Sequence, residues 1–496
     1  MCTVPQRGVT LRASDLTIRQ VPMIGRRASA IALLCALTAP GWAHAQAAAQ
    51  QDTALLLFTL EGALQYAVDH YPTVKAAVEQ LNASSAGVSV ARAAYLPRLD
   101  SLWQSNRATA NNIFGQVLPQ SVIPAMTGPV VSSASSQSVW GSATGALFSW
   151  EPFDFGLRRA TVRNAEAAVA GARANQALTR LEVQSAVGAA FLAVVAAEQA
   201  GVAAEADVER RDVLARAVHT LADNQLRPGA DASRADAERA AAQTRFIEAR
   251  EALVLARLTF ARTLGLAGDD VTVNVAGLLA PVPATVPPSA AAPAHPLAQV
   301  RQAAVDLARS EEDVLSRTDR PRLFLQSSVF ARGSGANFDG SLDGDVDGLG
   351  LDRANWAAGV QVVFPNLFDF ASLRARRAGA AASTRAEGAR HDEALLIVTH
   401  EQRAATARVD AARAIAANTP VQLAAAQQSE TQARARYEAG LAGIVEVADT
   451  QSLLAQAEYL NSSARIEVWR ALLAEAVAHG DLTSFASLVR SPGGVR

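Results

Sequence analysis

Asp154 lies in Phe153-Asp154-Phe155-Gly156, and a D-F-G of this kind holds a magnesium-binding aspartate in protein kinases. That chemistry needs a Gly-rich phosphate loop, a V-A-I-K strand and an H-R-D loop, and the chain has none of them. Asp343-Gly344-Asp345-Val346-Asp347-Gly348 spaces its carboxylates like a D-x-D-x-D-G calcium loop. The position that should carry the chelating Glu is Ala354. The segment therefore reads as an acidic surface loop, with calcium binding as the alternative. His391 and His400 share no local helix face, and the seven histidines offer no zinc spacing. No nucleophile–base–acid set or carboxylate pair stands out. The expectation is a protein that is not an enzyme, with no cofactor and no metal.

Architecture is the other reason to place Asp154 where it is, because the phrase is written twice. Phe153-Asp154-Phe155 returns as Phe368-Asp369-Phe370, 215 residues on. Tyr71-Pro72 matches His295-Pro296, and Pro97-Arg98-Leu99 matches Pro321-Arg322-Leu323, both offset by 224. Gly229 pairs with Gly440 at an offset of 211. A conserved order with drifting spacing is what a duplicated unit with unequal loops produces. The expected organisation is an N-terminal extension and signal peptide (1–45), a first repeat (46–276), a Pro/Ala-rich linker (277–292), a second repeat (293–485) and a tail (486–496).

Each repeat has one grammar. A helical stretch (Leu60 to Ala94; Leu297 to Arg317) leads to a strand-like stretch (Leu99 to Ala108; Leu323 to Ala331). A polar loop and a return strand follow (Val139 to Trp150; Trp356 to Phe364). Next come FDF, a very long helix (Leu157 to Leu226; Leu373 to Tyr437), a Gly turn and another helix (Ala232 to Leu264; Ile444 to Ala478). Pro152 and Pro365 are placed to bend the chain at the junction, and Asp154 and Asp369 to cap the helix that follows.

The strands alternate. Trp356, Ala358, Val360, Val362 and Phe364 share one face, and Gly359 and Gln361 the other. Ten residues span about 33 Å, which a tilt of about 40° fits to the apolar band of an outer-membrane barrel. An ordinary soluble hairpin pair is the alternative. Four strands cannot close a membrane barrel, and open edges are not tolerated in lipid, so spanning requires oligomers. The long helices would run about 100 Å at 1.5 Å per residue. Such lengths call for antiparallel, coiled-coil-like packing, helped by Ala-rich stretches such as 165–178. The expected fold class is mostly α, with a membrane β-barrel contribution.

Composition agrees with this. Apolar residues are 50% of the chain and aromatics only 5%, a bias that suits packed helices. A net charge of −2 gives no electrostatic case for nucleic acid. Arg and Glu alternate along the helices as on solvated faces. Arg26-Arg27, the apolar run Ala28 to Ala39 and Ala43-His44-Ala45 read as a signal peptide, with a short membrane anchor as the alternative and Met23 as an alternative start. Both cysteines, Cys2 and Cys35, would leave with it. No later segment has 18 uninterrupted apolar residues, so no transmembrane helix is expected.

The duplicated order of P-R-L strand, return strand, W-x-P-F-D-x-G-x-R-R-A, long helix and R-Y-x-x-G turn resembles the TolC-like outer-membrane efflux proteins. The resemblance covers nearly all of the mature chain. It implies a homotrimer whose twelve-stranded barrel in outer-membrane lipid continues as a helical tunnel across the periplasm. It also implies a passive exit channel, working with a periplasmic adaptor and an inner-membrane pump. The segment 436–451 resembles the family's periplasmic gate, where two acidic side chains line the entrance. Glu446 and Asp449 match them and are three apart, so they face one way on a helix. Tyr437 and Asp236 match the gate latch, while the position of the latch arginine is Ala442. Leu226, Arg227, Gly229 and Gly440 match tip turns that contact the adaptor. The alternatives are a type I protein secretion channel and a periplasmic coiled-coil structural or adaptor protein. An adaptor would show one hairpin between lipoyl-like segments rather than two equal repeats.

Overall fold

The computed structural model describes residues 56–109, 117–124, 136–268, 271–275, 278, 292–337, 339, 341–343, 346–366 and 368–490. The expected signal segment, both cysteines, most of the Pro/Ala linker, residues 491–496, and Gly344 and Asp345 of the acidic loop lie outside them.

The chain enters through β1 (Leu56–Phe58), α1 (Leu60–His70) and α2 (Pro72–Ala93). Thr59 starts α1 by accepting a hydrogen bond from the Gly62 amide at 3.1 Å. One helix was expected over 60–94. Pro72 divides it, because proline lacks an N–H and fits the first position of a new helix. The hairpin β2 (Arg98–Thr109) and β3 (Ser138–Phe153) follows, then the 67-residue α3 (Leu157–Asp223), then α4 (Gly229–Leu264) and β4 (Val271–Val273). The second repeat runs α5 (Pro296–Leu315), β5 (Arg322–Ser334), β6 (Arg353–Val363), the 69-residue α6 (Phe370–Glu438) and α7 (Ile444–Ala478), ending with α8 (Thr483–Arg490).

The long-helix expectation holds in length, but α6 runs through Pro420, which removes one main-chain hydrogen bond without ending the helix. Its neighbours supply the support: α6 packs along α7, and α3 along α4. The parallel pair β1–β4 and the amphipathic α8 carry too short a pattern to be read from sequence.

The four long strands form one antiparallel sheet in the order β2-β3-β5-β6, so β3 and β5 join the two repeats. Trp103 opposes Thr144, Thr144 opposes Ala331, and Ala331 opposes Ala354. Strand alternation then puts Leu99, Trp103, Phe148, Trp150, Val329, Trp356, Val360 and Val362 on a single face, all of them exposed. Gln104, Asn106, Gln326, Ser328 and Gln361 share the other. On that polar face the segment 117–124 folds back, and Ile123 packs against Ala143 and Phe330.

The main core lies where α1, the middle of α3 and the ends of α4 and α7 meet β1, β4 and α8. Phe191, Phe260 and Trp469 are fully buried there, and the Trp469 indole N–H donates to Leu278 O at 2.9 Å. This core also explains one departure from expectation. A stretch of α3 is long and apolar enough to cross a membrane by length and composition. Yet Val187, Phe191, Leu192, Val194 and Val195 within it are fully buried against protein.

Candidate functional site

The candidate gate residues sit at the tip where α3 turns into α4 and α6 into α7. Both turns end their long helix in the same way. Gln225 (φ 62°) and Gly440 (φ 77°) take the left-handed conformation, and Leu226 N and Leu441 N reach back to Leu221 O and Arg436 O. The structural partner of Gly440 is therefore Gln225, at an offset of 215, and not Gly229. Gly229 opens α4 as the counterpart of Ile444 and needs no unusual backbone. A one-letter Gly match misled the sequence alignment; hydrogen-bond geometry corrects it. Leu226 (69% exposed) and Leu441 (73% exposed) project from equivalent points of the two turns.

A small apolar cluster closes the tip: Val218, Ala232 and Ala235 from the first repeat against Tyr437, Ile444 and Val447 from the second. Glu446 and Asp449 lie on the opposite, exposed side of α7, as their spacing requires. They are not equivalent. Glu446 pairs with Arg436 across the turn at 3.4 Å, whereas Asp449 has no ion-pair partner among the described residues. Arg436 was not singled out from the sequence.

Tyr437 and Asp236, both matched to the gate latch, do not bond to each other within the single chain. The Asp236 carboxylate meets His219 Nε2 at 2.9 Å and Arg239 at 3.8 Å. Tyr437 is buried, and its hydroxyl has no partner in the described structure. Its ring lies under Arg227 instead, with the guanidinium carbon 4.4 Å from the ring centre. Arg227 Nη2 also donates to Tyr437 O at 2.5 Å, satisfying a carbonyl of the last helical turn. Burial and then the Asp231 carboxylate push the Tyr437 phenol up, against the pull of Arg227. Arg227 is the first-repeat counterpart of Ala442, by the same offset of 215 as Gln225 and Gly440.

Farther up the helices a buried ionic network joins three of them. Arg211 bonds to Asp207 on α3, to Glu238 on α4 at 2.8 Å and to Ser452 on α7 at 3.0 Å. Arg245 adds a second bond to Asp207 at 2.9 Å, and Arg210 pairs with Glu458 at 2.6 Å. Asp207 and Arg211 are only 3% and 2% exposed, so the solvated-face reading fails here. An i,i+4 Asp–Arg pair looks the same on a surface or between helices; only the neighbours decide.

The two FDF junctions diverge. Asp154 accepts from the Gly156 and Arg158 amides at 3.0 and 2.7 Å and from Arg158 Nε at 2.8 Å. Arg158 goes on to Ala94 O and stacks over Tyr95. Burial alone would raise the Asp154 carboxyl, but the Arg158 and Gly156 bonds and the Arg158 charge outweigh it and hold it below the usual value. Pro152 sits beside a register shift at the end of β3. Phe155 and Gly156, both at positive φ, complete that turn. Asp369 stands at the N-cap of α6 but makes no side-chain capping bond, contrary to expectation. Pro365 and Asn366 (φ 55°) turn the chain before it.

In the acidic loop Asp343 accepts from Asn337 at 2.7 Å, and Asp347 lies in a short 3-10 turn, Val346–Leu349. No cluster of three metal-ligating side chains occurs among the described residues.

This architecture has known counterparts. Residues 63–266 match the model of the outer membrane efflux protein family. The outer membrane protein VceC from Vibrio cholerae superposes with a TM-score of 0.68 at 18% identity, over 85% of this chain and 96% of that one. The CmeC outer membrane channel of Campylobacter jejuni gives 0.72 at 15% identity, covering 85% of each chain. Protein CyaE of Bordetella pertussis is 27% identical over 423 residues, 83% of this chain and 80% of CyaE. Fold and family match are those of channel proteins, not enzymes. The family match lies in the first repeat, and the chain as a whole shares the fold of these outer-membrane channels, in keeping with its resemblance to the TolC-like outer-membrane efflux proteins.

Proposed function

We propose that three copies close a twelve-stranded barrel and form the passive exit duct of a tripartite efflux system for small molecules. The observation that carries this is the sheet itself. One face exposes Trp103 (74%), Trp356 (78%) and Val360 (65%), and both edge strands are unpaired among the described residues. An apolar face fits lipid, and lipid forbids open edges, so the sheet is completed only by further copies. Twelve strands spaced about 4.8 Å apart and tilted about 40° enclose a backbone diameter of about 24 Å. The polar face would line that lumen.

The tips are the proposed entrance. Exposed Leu226 and Leu441 suit contact with a periplasmic adaptor, and Arg227, Gly229 and Gly440 shape the turns that present them. An inner-membrane pump would supply the energy. Three-fold symmetry would gather Glu446 and Asp449 into acidic rings. Because Glu446 is compensated by Arg436, Asp449 should dominate the attraction for cations.

The test is conductance in planar bilayers. The wild-type trimer is expected to give cation-selective steps. Asp449→Ala should reduce the selectivity more than Glu446→Ala. Steps whose selectivity ignores both changes would keep the channel and remove the gate assignment. A folded trimer giving no steps would sink the channel reading.

A further inference from the structure

Two segments fold back onto the long sheet, one on each face. Segment 117–124 takes the polar face, with Ile123 against Ala143 and Phe330. The acidic loop between β5 and β6 takes the other. Its 3-10 turn, Val346–Leu349, packs on β3 and β5. Ser142 and Gly333 oppose each other beneath it, and Ser142 Oγ meets Gly350 O at 3.4 Å. Both are two residues from Thr144 and Ala331, which puts them on the face of Trp103 and Trp356. Ser142 is buried there, although that face is otherwise exposed. The close approach needs glycine. A Cβ on Gly333 would collide with Gly350 O, and one on Gly348 with the Trp140 carbonyl. The seated turn leaves Val346, Leu349 and Leu351 exposed.

We infer that this turn is a lipid-contacting collar, with Val346, Leu349 and Leu351 at the boundary of acyl chains and headgroups in the leaflet farther from the helices. The inference rests on the membrane-spanning reading above and adds a lipid contact outside the strands. The bare apolar band is short. On β5 its large side chains run from Leu323 to Val329, about 20 Å of strand and about 15 Å along the membrane normal at a tilt of about 40°. An outer-membrane barrel presents a band of about 25 Å. The next positions on the same face are small: Ser105, Ser142, Ala331, Gly333 and Ala354. The turn covers two of them, Ser142 and Gly333, and offers apolar side chains in their place.

Two neighbours fix the level. Arg107 and Trp140 oppose each other on this face, with the guanidinium carbon 5.7 Å from the ring centre. An aromatic ring beside an arginine that can reach toward water is what a membrane interface selects. The exposed Asp347 and Asp352 fit the same level, because a charge costs little there and much at the midplane. Lateral position matters as well. β3 and β5 are the two central strands, so the turn stands away from the free edges β2 and β6. Further copies meeting those edges would leave it open to lipid.

Spin labelling of the full chain in phosphatidylethanolamine/phosphatidylglycerol vesicles tests the collar. In a Cys2→Ala/Cys35→Ala background an introduced cysteine is the only one. Nitroxides are placed at Val346→Cys and Leu349→Cys. Val360→Cys serves as the reference on the apolar sheet face and Asp339→Cys as the exposed aqueous reference. Collisions with oxygen, which concentrates in lipid, are compared with those of a water-soluble nickel chelate. The oxygen-to-nickel ratio at 346 and 349 should exceed that at 339 several-fold. If the ratio at 360 is as low as at 339, the membrane-spanning reading falls and takes the inference with it. If 360 is lipid-exposed and both loop labels match 339, the loop faces water, and the collar is wrong while the spanning sheet stands. Loop labels shielded from both probes would mean a protein cover, which also overturns it. Gly333→Val should unseat the turn, raising nickel collisions at 349 several-fold with 360 unchanged; the smaller Gly333→Ala replaces it if valine blocks folding. No change at 349 in a folded variant would overturn the seating.

Discussion

Asp154 and Asp369 occupy the same place in the same phrase, yet one is a buried, fully bonded cap and the other an uncapped residue at an exposed turn. The difference lies in what stands beside each. The first junction is enclosed by its own chain: the turn after α2 supplies Ala94 O and Tyr95, and the turn after α5 supplies Arg320. The second has α5 on one side and, on the other, an edge with no described residue of its own chain against it. Phe368 (85%) and Phe370 (69%) are accordingly exposed. The copies also differ in sequence: at the offset of 215, Leu373 stands where Arg158 does and Ala371 where Gly156 does, and a chain of two repeats has two different neighbourhoods, one internal seam and one open end.

The sharpest way to break this comparison is Asp154→Ala. Removing the carboxylate leaves Arg158 buried without its ion-pair partner, which should cost about 3–5 kcal/mol. Asp369→Ala should cost less than about 0.5 kcal/mol. Urea midpoints of the two variants check this, and equal losses would mean that the two junctions are energetically alike after all. Next in size is the tip. Arg227→Ala removes a stacked cation and a charged hydrogen bond, for a loss of about 2 kcal/mol. Its counterpart Ala442 has no such role. Amide hydrogen exchange should then quicken around Tyr437 and the α6–α7 turn and not along the middle of α3.

Acid should act on the first junction alone. The Asp154 carboxyl is held below its ordinary value of 3.8, so its contribution is present above that pH. It is lost as pH falls through the lower, folded-state value. Acid unfolding below about pH 3.8 should be less steep in Asp154→Asn than in the wild type. The smallest effect is expected from Tyr437→Phe. Its hydroxyl is buried without a partner, so deletion should be neutral or stabilising by up to about 1 kcal/mol. A clear loss would show that this hydroxyl finds a partner in the trimer, as a latch requires.

Much of the fold was legible because it is periodic. Two-residue alternation placed Trp356, Val360 and Val362 on one face, and helical composition gave α3 and α6 their lengths, even though Pro420 interrupts the pattern in α6. The duplication supplied the order of elements twice. The candidate site was legible only in part. Spacing put Glu446 and Asp449 on one face, but Arg436, the partner of Glu446, carries no signal that separates it from other helix arginines. Tyr437 and Asp236 do not bond within the single chain, where His219, 17 residues before Asp236, reaches its carboxylate across the α3–α4 hairpin.

By itself, then, the sequence determined what depends on local order: which stretches are helix or strand, which strand face is apolar, and that one unit is written twice. Tertiary structure decided what depends on neighbours. It enclosed the first FDF junction and left the second exposed, turned the Asp207–Arg211 pair from a surface pattern into a core network, and aligned Gln225 rather than Gly229 with Gly440. Side-chain periodicity is a property of the backbone and survives duplication. Burial is a property of what packs alongside, and the two ends of a duplicated chain do not share it.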